Sequence, residues 1–163
     1  MRLFNALSLC VIILASISGV AIAELPRISD ARVVQPPPGS KVAAAYFTIR
    51  NTASEPLLIT DVKSDIANRV EVHLSSVEND VAKMEKQQSV TVESGASLEF
   101  KHGSYHVMFM GLNEVLKAGN SFDVTLVTNA GDIVVSVPVI SIDDAMSMQH
   151  DMKEKTQTSE ESR

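Results

Sequence analysis

Hydrophobic residues in this chain recur at every second position, in short runs separated by turn-forming residues. Side chains alternate across a β-strand, so this spacing marks strands with one buried face. The clearest run is Arg69–Ser75, with Val70, Val72 and Leu74 on one face and Glu71, His73 and Ser75 on the other. Further strands are predicted over Ile28–Gln35, Val42–Arg50, Leu57–Val62, Val81–Lys86, Val90–Val92, Leu98–Lys101, Tyr105–Leu112, Phe122–Thr128 and Ile133–Ile140. Pro36-Pro37-Pro38-Gly39, the polar segment 51–56, Asn79-Asp80, Ser94-Gly95, Gly103 and Asn129-Ala130-Gly131-Asp132 supply the breaks. No ten-residue stretch carries strong helical periodicity. Many short strands joined by turns predict an all-β sandwich or barrel.

The pattern also orients particular side chains. With Asn79-Asp80 as a two-residue hairpin loop, Ser75 faces Met84 and His73 faces Lys86. Met84 then lies diagonal to His73 on one face, about 7–8 Å away between backbones. In Tyr105–Leu112, His106, Met108 and Met110 share a face, and Tyr105, Val107 and Phe109 share the other. Met110 is read as core filler, the usual role of methionine.

The two ends differ from this domain. Met1-Arg2, an apolar stretch from Leu3 to Val20, and Ala21-Ile22-Ala23 form a basic start, a hydrophobic region and a small-residue cleavage site. Residues 1–23 therefore read as a secretory signal peptide, and the destination as the periplasm. Leu9 precedes Cys10 where lipid attachment needs a small residue, so Cys10 is not read as a lipidation site. Residues 24–142 form the β-domain, and 143–163 a flexible polar tail. That tail contains Met146, Met148, His150 and Met152, soft side chains with no core to fill.

Composition narrows the chemistry. The 163 residues are 45% hydrophobic, enough for one ordinary domain. Cys10 is the only cysteine and departs with the signal, which leaves no disulfide, thiolate ligand or nucleophilic thiol. The net charge is −6, and no basic patch invites nucleic acid or an anionic membrane. No stable membrane insertion is expected after cleavage, and a monomer is expected. There is no Ser-His-Asp order, convincing carboxylate pair or phosphate-binding glycine loop, so an enzyme is not expected.

His73, Met84, His106 and Met108 remain as candidate chemistry. Imidazole nitrogen and thioether sulfur suit Cu(I) far better than calcium or magnesium. A blue-copper electron-transfer site is excluded, because it needs a cysteine thiolate. The alternative is a binding module in which these side chains merely pack. His102 is a candidate accessory ligand, with a solvated turn residue as the plainer reading. The tail group is a second candidate, with His150 admitting Cu(II) and the methionines favouring Cu(I).

The spacing of the four residues is itself specific. Ten residues separate His73 from Met84, twenty-one separate Met84 from His106, and His106-Val107-Met108 completes the set. This resembles the periplasmic copper chaperones of the PCu(A)C type. The segments Ala45-Tyr46-Phe47-Thr48-Ile49-Arg50-Asn51, Val70-Glu71-Val72-His73 and Gly103–Leu112 are similar to that family as well, so the likeness spans about Ile28–Ile140. Leu74 stands where many members carry a second methionine, and Lys101-His102-Gly103 replaces a Pro-Gly-Gly-like turn. The resemblance implies a cupredoxin-like Greek-key β-sandwich and one Cu(I) on His73, Met84, His106 and Met108. It also implies delivery to the copper centre of cytochrome c oxidase, with thioredoxin-like Sco proteins as cooperating partners. A periplasmic copper buffer serving resistance would need the same site.

Overall fold

The computed structural model describes residues 25–78 and 81–148. Ten strands run in chain order: β1 (Arg27–Val34), β2 (Val42–Arg50), β3 (Leu57–Lys63), β4 (Ala67–Glu78), β5 (Val81–Lys86), β6 (Val90–Val92), β7 (Ser97–Phe100), β8 (Tyr105–Leu112), β9 (Ser121–Thr128) and β10 (Ile133–Ile140). They form one hydrogen-bonded array in the order β5-β4-β8-β2-β1-β10-β9-β3-β6, with β7 pairing the second half of β2. All the pairings are antiparallel except β1 with β10, which join in parallel through Val33–Val139 and Val34–Ile140.

Alternation explains why the array closes on a single core. In β2, Ala43, Ala45, Phe47 and Ile49 are buried while the residues between them are half-buried or exposed. Val72, Val107 and Phe109 join them from β4 and β8, and Ile59, Val92, Val124, Leu126, Val135 and Val137 join from the other half of the array. Burying a side chain of this size stabilises the fold by about 1.5–3 kcal/mol. Phe47 stacks on Phe100 with ring centroids 4.3 Å apart, and Phe109 meets Phe122 edge-on at 5.4 Å. This is the expected all-β sandwich.

The predicted strands lie within a few residues of the observed ones. The largest extension is β4, expected over Arg69–Ser75 and found over Ala67–Glu78. It is long because it has two neighbours in succession: β8 pairs with Ala67–Leu74, and β5 with His73–Glu78. Residues 142–148, where the sequence predicts the start of a flexible tail, form a short helix. Ser141 caps it, its hydroxyl accepting the Asp144 N–H at 3.1 Å and donating to the Asp144 carboxylate at 2.7 Å. Residues 1–24 and 149–163, and with them the signal peptide and most of the tail, lie outside the described residues. Among the described residues no helix is long and apolar enough to cross a membrane.

Candidate metal centre

The β4–β8 pairing puts His73 directly opposite His106 and Glu71 directly opposite Met108. On the other side of β4, Ser75 faces Met84 and His73 faces Lys86, the register expected from the hairpin. His73, Met84, His106 and Met108 thus share one face of the sheet, opposite to the face that carries Val72, Val107 and Phe109 into the core. The His73 and His106 ring centroids are 6.0 Å apart, with the planes inclined at 47°. Exposure falls across the group, from Met84 at 53% to His106 at 5%.

Each imidazole is held by one ring nitrogen. His106 Nδ1 lies 3.0 Å from the Ser104 carbonyl, which also accepts the Ser75 N–H at 3.1 Å. Gly103, at φ +78°, makes this possible: the Lys101–Ser104 turn closes through Ser104 N–H to the Lys101 carbonyl at 3.1 Å. A positive φ at the third residue of a turn is a position for glycine. His73 Nε2 lies 2.9 Å from the Glu71 carboxylate. The other ring nitrogen of His73, Nδ1, is buried and has no hydrogen-bond partner. An orphaned buried nitrogen is costly unless something supplies a partner, and a metal ion would.

Glu71 belongs to the site although the sequence pattern marks it only as a polar-face residue. Its second oxygen accepts the Lys86 ammonium at 2.8 Å, and Arg69 Nε lies 3.8 Å away. The hydrogen bond from Lys86, then that from His73, hold its carboxyl below the usual glutamate range, against the opposing effect of burial. Among the described residues no three His, Cys, Asp or Glu side chains are arranged to hold a metal. The two thioethers on this face, Met84 and Met108, are donors that suit a soft ion.

Three further residues are placed by the register. Met110, expected in the core, is half-buried on the outward face with His106 and Met108. It faces Arg69, whose guanidinium lies 3.4 Å from its sulfur. The core positions of β8 are taken by Val107, Phe109 and Leu112, which is why Met110 does not pack there. Leu74 faces Glu85 and Tyr105 on the opposite side from His73, so its departure from the family pattern leaves the site untouched. His102 is exposed in the turn. Of the tail candidates, Met146 and Met148 are exposed on the short helix. Met148 lines a groove of about 180 Å³ with Tyr46, Lys101 and His102. His150 and Met152 lie outside the described residues.

Known proteins place the domain. Residues 27–139 match the LpqE-like family model. The "Putative lipoprotein Lxx21020" of Leifsonia xyli subsp. xyli is 31% identical over 103 residues, covering 62% of each chain, so the present chain spans about three fifths of that relative. Among solved structures, the copper-bound PCuAC domain from PmoF2 superimposes with a TM-score of 0.62 at 19% identity, over 73% of this chain and 95% of that one. The Cu(I) form of DR1885 from Deinococcus radiodurans gives 0.57 at 22% identity, over 76% and 81%. These matches bear out the resemblance read from the spacing and the cupredoxin-like sandwich it implied. The chain belongs to the LpqE-like family, and its domain has the PCuAC fold.

Proposed function

We propose that this is a secreted, non-enzymatic copper carrier that holds one Cu(I) on His73, Met84, His106 and Met108 and passes it to another protein. One observation carries the reading: two imidazoles opposed across β4 and β8, one with a buried, unpartnered nitrogen, share a face with two thioethers. The solved domains described as copper-bound support it, as does the softness of the donor set. Neutral ligands at a partly exposed rim can be displaced one at a time by a recipient's ligands. Delivery to the copper centre of cytochrome c oxidase, with a thioredoxin-like Sco protein cooperating, is the assignment the family resemblance favours. The signal-like segment 1–23 supports the periplasm as the place of action. Leu9 stands before Cys10, where lipid attachment needs a small residue.

The test is an anaerobic Cu(I) titration of residues 24–163 against a competing chelator, with Met84→Leu and Met108→Leu beside the wild type. Leucine and methionine are close in volume, so packing is conserved within about 1.5 kcal/mol. Ligand roles predict loss of competition with the chelator while the thermal midpoint holds. A wild type that cannot compete, or variants that compete as well as it does, would remove the proposal and leave a metal-free binding module.

A second copper on Met146, Met148, His150 and Met152 is a separate proposal, favoured by the exposure of Met146 and Met148 on the short helix. Truncation after Ile142 is expected to lower the copper stoichiometry from two to one. An unchanged stoichiometry would sink it.

A further inference from the structure

The contacts around Glu71 assign it a role beyond ion pairing, one that rests on the copper reading. We propose that Glu71 is a positioning residue that keeps the His73 proton on Nε2, so that Nδ1 is the nitrogen presented to copper. A neutral imidazole has one N–H and one lone pair, and the partner of one nitrogen decides the state of the other. The Glu71 carboxylate can only accept, so at 2.9 Å it takes the N–H of Nε2. The lone pair then falls on Nδ1, the buried atom with no partner. The carboxylate is itself fixed, because its other oxygen accepts from Lys86 at 2.8 Å. Glu71 and His73 are both largely buried, with side-chain exposures of 12% and 14%. His106 reaches the same condition by another route: the Ser104 carbonyl takes its Nδ1–H, leaving the lone pair on Nε2. The two facing rings are thus preset to offer opposite nitrogens, Nδ1 from His73 and Nε2 from His106. Such outer partners orient a ligand and raise its basicity.

Lys86 makes the test sharp. In Glu71→Gln, an isosteric change, there is one amide oxygen for two donors. The Lys86 ammonium takes it, since a hydrogen bond from a charged donor is the stronger. The amide NH₂ then turns to His73 and donates to Nε2, which drives the imidazole proton to Nδ1. The expected result has two parts. In the metal-free protein, ¹⁵N-correlated NMR of the His73 ring shows Nδ1 as imine-like in the wild type and as N–H in Glu71→Gln. In the chelator titration, Cu(I) binding by Glu71→Gln weakens by about 10–100-fold, the usual cost of removing an outer partner. Adding Lys86→Met removes the competing donor, frees the amide oxygen for His73 and restores both signatures toward wild type. An N–H on Nδ1 in the wild type would overturn the proposal, as would a Glu71→Gln variant with wild-type tautomer and affinity. Failure of the copper reading is separable: the wild type would then show the stated tautomer and bind no Cu(I).

Discussion

Replacing His106 with alanine is expected to abolish competition for Cu(I) while leaving the protein folded. As a proposed direct ligand it should cost more than the about 10–100-fold typical of outer partners. The structural cost comes from the cavity that a buried imidazole leaves and from one lost hydrogen bond. Its one hydrogen bond is to the Ser104 carbonyl, and that carbonyl keeps the Ser75 N–H, so no acceptor is orphaned. Losing such a bond costs about 0.5–1.5 kcal/mol. The measurement is the chelator titration paired with a thermal melt. His102→Ala is the matched control, since it removes an imidazole four residues away on the exposed turn. Equal losses from both variants would mean that histidine content, and not this pair, governs binding. A His106→Ala protein that still competes would take His106 out of the site.

The largest effect on stability is expected from Phe109→Ala. Phe109 is fully buried, meets Phe122 edge-on, and lies between Met108 and Met110 on the strand that pairs with both β2 and β4. Truncating a core phenylalanine costs about 3–5 kcal/mol, a large part of the about 5–15 kcal/mol that holds a domain together. Urea denaturation should show the midpoint falling with little change in slope. Because Phe109 points away from His106 and Met108, the fraction that remains folded should bind Cu(I) with near wild-type affinity. A loss below about 1 kcal/mol would mean that Phe109 is not a packed core residue.

Much of this architecture is legible because a β-strand records its buried face at every second residue. The β4–β5 register follows from a two-residue loop, and with it the placement of Met84 diagonal to His73. What the alternation cannot supply is the non-local partner of a strand. Nothing local pairs β4 with β8 across the intervening β5, β6 and β7, and only the family spacing brings His73 and His106 together. Glu71 is visible on the His73 face but carries no metal-ligand signature, because its part depends on a distance to Nε2. Met110 shows the opposite failure. Its alternation already places it beside Met108, and the general habit of methionine is a poorer guide than that local pattern. The helix at 142–148 is too short for periodicity to register, yet Ser141 followed three residues later by Asp144 is a helix-start pattern.

The sheet also divides the four proposed ligands by mechanical support. His73, His106 and Met108 ride on strands with a hydrogen-bonded neighbour on each side, whereas Met84 rides on β5, an outer strand whose six side chains are all exposed. Edge strands open at low free energy, well below that of global unfolding. Peeling of β5 alone would turn a four-coordinate site into a three-coordinate one with the core undisturbed. By linkage, copper bound to the closed form would hold β5 down, and a recipient competing for the metal would favour its release. Cargo exchange in such a protein would be timed by the fraying of one hairpin arm, and the rigid sandwich would serve as the frame against which that arm moves.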